Sequence, residues 1–294
     1  MSDTNTNIDC RLLCASTCAY DIASAGTFTP NPPHYPAVGW TAPPAVYFAG
    51  PDNIDACLIG ANESDGLILA FRGTLPPITL DVPPQLLDWA QDIFLARPVA
   101  QPGILPADMM VHEGFANAVD SLWPQIVPAL RDLQVANPES KLYITGHSKG
   151  GAMAPIAAAR LFFQEGIGAA GVYTYAPARA GNSAFVAGFP DAVPVLRYEY
   201  HNDIVPLLPP DPSFIEIAHR LPLLGELLEV AADWDYASLG TLRYFREDGS
   251  ITGDSPFLPA IRAAEIVAKM VAGDFGDIAK DHAPWCRGPL SNGG

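Results

Sequence analysis

The sequence predicts an α/β fold built on a mostly parallel central sheet, with helices covering it. Three observations carry this expectation. Short β-branched and aromatic runs alternate with longer helical patterns along the chain. The segment between 113 and 135 has a helical apolar stripe, because Phe115, Val119, Leu122, Ile126, Leu130 and Leu133 step by three or four residues. Finally, a glycine-flanked serine, Gly146-His147-Ser148-Lys149-Gly150, stands where a strand-like run gives way to an Ala-rich helical one. With 294 residues, 49% of them apolar, the chain can bury a substantial core. It shows neither an internal repeat nor a low-complexity linker, so one domain with insertions is expected over 1–294.

The elements follow in order. A first helix is expected at roughly 8 to 24, and Cys10, Cys14 and Cys18 fall along one of its faces. That spacing suits buried, unpaired thiols better than a zinc knuckle, and no disulfide is assigned to Cys57 or Cys286. The charge-free stretch from Ile22 to Gly50 carries Pro30, Pro32, Pro33, Pro36, Pro43 and Pro44 and so cannot be a continuous membrane helix. AVYFAG, IDACLIGA and LILAFRG read as strands, the last two joined by a turn around Glu63 to Gly66. The 113–135 helix contains Pro124 and Pro128, which should bend it. KLYITG reads as a buried strand and GGAMAPIAAARLFFQEG as a helix apolar nearly all round; GVYTYAPA and VPVLRYEY are two further central strands.

Sixteen basic against 32 acidic residues give a net charge of −16, which repels phosphate backbones and makes nucleic acid and anionic membranes poor partners. A neutral substrate fits better. The start, MSDTNTNIDCRLL, has no basic region followed by an apolar run, so no secretory signal is read there. The compartment stays open between the cytoplasm and secretion with a signal already removed.

A serine at a sharp strand-to-helix turn is held exposed, and glycines two residues either side leave room for the neighbouring strand and helix. Its hydroxyl is a weak nucleophile at neutral pH and needs a histidine base oriented by a carboxylate, which on this kind of fold follow in the order Ser, Asp or Glu, His. Of the six histidines, His34 and His112 precede Ser148 and His147 adjoins it. Asp203, just past the strand ending at Tyr200, is the expected acid. His201 then precedes the acid, leaving His219 and His282. His219 lies in an apolar-periodic segment that reads as an inserted helix, whereas His282 lies in a short polar loop, so His282 is the expected base. Oxyanion donors are expected from the Lys149 backbone N–H and from Thr74, at the end of the Ala70–Gly73 strand. The plainer alternative for Thr74 is a threonine capping its own turn.

Phe71-Arg72-Gly73-Thr74, Asp88-Trp89-Ala90-Gln91-Asp92, Val111-His112-Glu113-Gly114-Phe115, Gly146-His147-Ser148-Lys149-Gly150-Gly151, Tyr173-Thr174-Tyr175-Ala176-Pro177 with Gly181-Asn182, and Asn202-Asp203-Ile204-Val205-Pro206 with Pro209-Pro210 form ordered blocks. Together they resemble the class 3 (fungal-type) lipase family from about residue 67 to 210. The Tyr20 helix and the His282 loop extend the match more weakly. The resemblance implies an α/β-hydrolase fold and carboxylic ester hydrolysis without cofactor or metal. It also implies a Ser148, Asp203, His282 triad, oxyanion donors at Thr74 and Lys149, and substrate contacts at Tyr20 and Trp89.

Two departures from the family pattern are visible. Many members carry an apolar residue where this chain has Lys149, whose side chain is expected to be superficial or carboxylate-paired rather than a substrate contact. The family lid follows the oxyanion residue as a short amphipathic helix, but Pro76, Pro77, Pro83 and Pro84 occupy the corresponding place, so within a candidate lid at about 75–95 only Gln85 to Phe94 could be helical. A candidate cap at about 212–231 either covers the acyl site or completes the core. The expected activity is lipase-like, on acylglycerols, with transient contact to a lipid surface. The rivals are an esterase of other specificity (phospholipase A1, feruloyl-type or polyester hydrolase) and a lipase-like binding protein without turnover.

Overall fold

A computed structural model describes residues 7–75, 96–218, 231, 233–255, 257–272 and 280–283. Its strands are β1 (Ala45–Ala49), β2 (Asp55–Asn62), β3 (Gly66–Phe71), β4 (Pro98–Ala100), β5 (Met110–His112), β6 (Lys141–His147), β7 (Gly171–Tyr175), β8 (Gly181–Asn182), β9 (Val195–Tyr200), β10 (Tyr236–Ala237), β11 (Thr241–Phe245) and β12 (Ile251–Thr252). The helices are α1 (Ile8–Cys18), α2 (His34–Val38), α3 (Glu113–Ala136), α4 (Lys149–Glu165), α5 (Ser183–Ala187), α6 (Pro212–Ala218) and α7 (Leu258–Ala272).

The main sheet has eight strands in the order β1-β2-β3-β6-β7-β9-β11-β12. Pairing is parallel from β3 through β11 and antiparallel at both edges. This mostly parallel α/β arrangement is the expected one. Strand alternation decides which core each residue joins. On β2 and β3, Cys57, Ile59, Leu67, Leu69 and Phe71 pack into one buried cluster with residues of α3 and α4. Ala56, Leu58, Ile68 and Ala70 point the other way and join α1 residues Leu12, Leu13, Ala15 and Cys18. Helices therefore cover both faces, which is why β3 and the middle of β2 are apolar on both sides.

Several details differ from expectation. The first helix stops at Cys18, and a 3₁₀ turn at Ala19–Asp21 finishes it, with Ile22 forming a bridge to Phe28 instead of continuing. β11 joins the sheet in parallel beside β9, and β10-β8-β5-β4 form a second, four-stranded sheet; neither was expected. The cysteine expectation is corrected at Cys14, which is disulfide-bonded to a partner outside the described residues. Cys18 and Cys57 are buried thiols, and burial pushes Cys18 up to about 12.

The candidate lid lies outside the described residues except for Leu75, and Trp89 and the Gln85–Phe94 segment lie outside with it. Of the candidate cap, only 212–218 and 231 are described; His219 is not. Within that part, α6 buries Phe214 in the main core.

Candidate active site

The carboxyl ends of parallel strands are where an α/β sheet places its loops, and three of the expected site residues fall there. Thr74 follows β3, Ser148 follows β6 and Asp203 follows β9. Ser148 has φ 59° and ψ −128°, so the chain reverses between strand and helix within one residue. Gly146 and Gly150 make that turn possible. A Cβ on Gly146 would meet the Gly150 carbonyl oxygen at 2.2 Å, and one on Gly150 would meet the Phe71 carbonyl oxygen at 2.4 Å.

His282 comes from the short segment 280–283 and stands between Ser148 and Asp203. Its Nδ1 is 3.0 Å from both carboxylate oxygens of Asp203, and its Nε2 is 2.9 Å from Ser148 Oγ. A carboxylate only accepts, so Nδ1 carries the proton and Nε2 is left to accept from the serine hydroxyl. Asp203 is fully buried, and its Oδ1 also accepts the Val205 N–H at 3.0 Å. Arg262 on α7 donates to the Asp203 carbonyl oxygen at 3.3 Å. Next to the histidine, Asp281 accepts from the Asn202 N–H at 3.1 Å and contacts His201 Nδ1 at 3.0 Å, tying the segment to the end of β9.

A second chain of bonds supports the same histidine from below. His147 Nε2 is 2.8 Å from the His282 carbonyl oxygen, and its Nδ1 is 2.7 Å from the Tyr20 hydroxyl. The carbonyl can only accept, so Nε2 of His147 is the protonated nitrogen and Tyr20 donates to Nδ1. The charge states agree. Burial, then the neighbouring His282, holds the His147 imidazole well below its ordinary range and therefore neutral, while burial raises the Tyr20 phenol and keeps it a donor. Tyr20 also lies against Gly73, where a Cβ would approach its hydroxyl to 2.0 Å. Its hydroxyl is thus committed to His147.

Thr74 Oγ1 is buried and has no hydrogen-bond partner among the described residues. The loop that carries it is clamped by Arg72, which donates to the Ile22 carbonyl and to those of Asn53 and Ile54 at 2.6 and 3.0 Å. The Lys149 side chain turns away to pair with Asp55 at 2.6 Å, and Ser121 donates to the other oxygen of Asp55 at 3.0 Å. Lys149 is therefore carboxylate-paired.

A family model described as lipase (class 3) matches residues 68–213, which include the Thr74 loop, the serine turn and Asp203. Residues 68–213 belong to the class 3 lipase family. It is 28% identical over 148 residues to the secreted mono- and diacylglycerol lipase A of Penicillium cyclopium, covering 50% of this chain and 44% of that one. Against the lipase of Rhizomucor miehei the identity is 32% over 158 residues, covering 52% and 40%. The chain thus spans less than half the length of these two relatives. Among solved structures, a triacylglycerol lipase whose catalytic centre is described as a serine protease triad superposes with a TM-score of 0.61 at 20% identity, covering 86% of this chain and 84% of that one. The chain therefore shares the fold of the solved lipases.

Of the sequence-derived site, Ser148, Asp203 and His282 come together, Thr74 stands on the loop after β3, and Lys149 opens α4 directly after the serine. His147 and Tyr20 were not expected to act as a support. His147 was set aside because it adjoins the serine; yet that adjacency, at the last residue of β6, is what brings its ring under the His282 segment.

Proposed function

We propose that this chain is a serine carboxylic ester hydrolase that acts on acylglycerols through an acyl-enzyme. The observation that carries the reading is the continuous Asp203–His282–Ser148 hydrogen-bonded line, with the histidine in the tautomer that leaves Nε2 facing the serine. In the proposed mechanism, His282 takes the Ser148 proton as Oγ attacks the ester carbonyl, and buried Asp203 stabilises the imidazolium. The developing oxyanion accepts from the Lys149 N–H and from Thr74, whose buried hydroxyl is otherwise unspent. His282 then protonates the departing alcohol, the acyl-enzyme forms, and the same histidine activates water to release the acid. The Tyr20–His147 pair fixes the height of His282 through its carbonyl.

The names of the relatives, secreted mono- and diacylglycerol lipases among them, support acylglycerols as the substrate class. The disulfide at Cys14 supports an oxidising compartment and so the secreted alternative. A neutral lipid substrate also suits a chain whose formal charge is −16. No helix among the described residues is long and apolar enough to cross a membrane.

A hydrolysis panel of p-nitrophenyl esters and emulsified mono-, di- and triacylglycerols tests the proposal. Turnover of acylglycerols that vanishes in Ser148→Ala supports it. Activity confined to short soluble esters would transfer the same machinery to an esterase, and no turnover of any ester would return the chain to a binding role.

A further inference from the structure

The buried ion pair of Lys149 and Asp55 stands at the root of both elements that carry the oxyanion donors. Lys149 follows Ser148 and opens α4, so its backbone N–H has no acceptor one turn back in its own helix. Its side chain runs to β2, where Nζ lies 2.6 Å from Asp55 Oδ1. Asp55 opens β2, the neighbour of β3, whose end leads to Thr74. The pairing of these two strands extends past β3, because the Arg72 N–H donates to the Ala56 carbonyl at 2.9 Å. Asp55 thus lies one residue from a backbone bond that holds the Thr74 loop to the sheet.

Stability alone is a weak reason for the pair. Lys149 and Asp55 are 8% and 7% exposed, and the cost of taking both charges out of water offsets much of their attraction. What a charge-assisted bond of this length supplies is direction, since it holds donor and acceptor in one geometry. Asp55 is itself fixed. Ser121 Oγ, on α3, lies 3.0 Å from its Oδ2, and Gly50 leaves room for that oxygen, which a Cβ there would approach to 2.9 Å. A second buried cation, Arg72, reaches the same stretch from the Thr74 side, donating to the Asn53 and Ile54 carbonyls at 2.6 and 3.0 Å. The Thr74 loop and the start of α4 are therefore each tied, through one charged side chain, to residues 53–55.

We propose that Asp55 and the Lys149 side chain are positioning residues of the oxyanion site, which hold the Lys149 N–H and Thr74 at a fixed separation by anchoring both carriers to one short stretch of chain. Under the ester-hydrolase reading, on which this inference rests, those two groups receive the oxyanion. Two donors act together only when both reach one oxygen, so the separation of their carriers matters more to turnover than the strength of the pair matters to folding. Lys149 Nζ is spent on Asp55, and the effect runs through the backbone.

The test compares the full chain with the Lys149→Met, Asp55→Leu double variant, which removes both charges and keeps the space filled. Urea unfolding verifies its fold; kcat and KM on a p-nitrophenyl ester and the inhibition constant of a trifluoromethyl ketone are then measured. Ser148 Oγ adds to the ketone carbon, its proton passes to His282 and the carbonyl oxygen becomes the oxyanion, so this inhibitor reports the site without turnover. The expected result is stability near that of the wild type, a fall in kcat of roughly ten- to a hundredfold with KM nearly unchanged, and a loss of inhibitor affinity by a similar factor. Ser121→Ala, which leaves both charges in place and frees one oxygen of Asp55, should give the same pattern at several-fold size, and it decides if the double variant does not fold. Wild-type kcat in the folded double variant, or in Ser121→Ala where the double variant does not fold, overturns the proposal, as does a fall in kcat without loss of inhibitor affinity. The ester-hydrolase reading fails on a different result, undiminished turnover in Ser148→Ala.

Discussion

Ser148 holds a φ of 59° in a region that side chains with a Cβ rarely occupy, and the fold sustains it because Gly146 and Gly150 yield the space around it. If the residue is the nucleophile, Ser148→Ala lowers turnover about a millionfold and His282→Ala about as much, since the two act as one unit. The measurement is kcat on a p-nitrophenyl ester with folding verified by circular dichroism. Thr74→Val preserves shape and backbone N–H, so kcat should fall roughly a hundredfold while KM barely changes; an unaltered kcat would leave the backbone donor alone in that role. His147 predicts a pH effect. Its folded pKa is depressed, so the unfolded chain binds the proton first, and the stability it contributes is present above about pH 6.5 and drains as pH falls below that value. His147→Gln removes the titrating group and retains an N–H donor for the His282 carbonyl. Its Tm should therefore decline less steeply than that of the wild type between pH 6.5 and 5, with kcat/KM lower because the amide cannot reproduce both bonds of the ring.

Between elements, the Lys149–Asp55–Ser121 cluster links the first residue of α4 to β2 and α3, and all of its charge is buried. Removing one partner strands the other, so Asp55→Asn should cost on the order of 3–5 kcal/mol in urea unfolding, whereas Lys149→Met combined with Asp55→Leu should recover most of it. Much of this scale was legible in the sequence. The runs that became β1, β2, β3, β6, β7 and β9 are rich in apolar, aromatic or β-branched residues, and the spacing of Phe115 to Leu133 marked α3. The second sheet was not legible, because β4, β5, β8 and β10 are only two or three residues long and show no period at that length. β11 was missed because Thr241, Arg243 and the loop before it read as surface, although Leu242, Tyr244 and Phe245 are buried. At the site, chain order and strand ends pointed to Ser148, Asp203 and His282. The support from Tyr20 through His147 could not be read, since it joins residues 127 positions apart and then 135 positions apart through single hydrogen bonds. Nor could Cys14 be told from Cys10 and Cys18, which share its helix face.

For the molecule as a whole, the parallel sheet gathers Thr74, Ser148 and Asp203 at the carboxyl ends of β3, β6 and β9 from residues far apart in the chain, and the 280–283 segment brings His282 onto Ser148 and Asp203. The apolar residues Leu86, Leu87, Trp89 and Phe94 of the candidate lid predict a response to an interface. Specific activity on a short triacylglycerol should rise several-fold as the substrate passes its solubility limit, because an open form with exposed apolar side chains is selected by a lipid surface. Smooth saturation through that limit would favour an esterase of soluble substrates and leave the triad untouched. The claim on which the functional account depends is that Ser148 is an activated nucleophile, and covalent trapping reads it without reference to substrate. After exposure to a fluorophosphonate probe, intact-mass and peptide analysis should find one adduct per chain, on the peptide containing Ser148, formed in step with loss of ester hydrolysis and absent from Ser148→Ala. A folded chain that stays unlabelled, or one that loses activity while the label lies on another residue, would contradict the account.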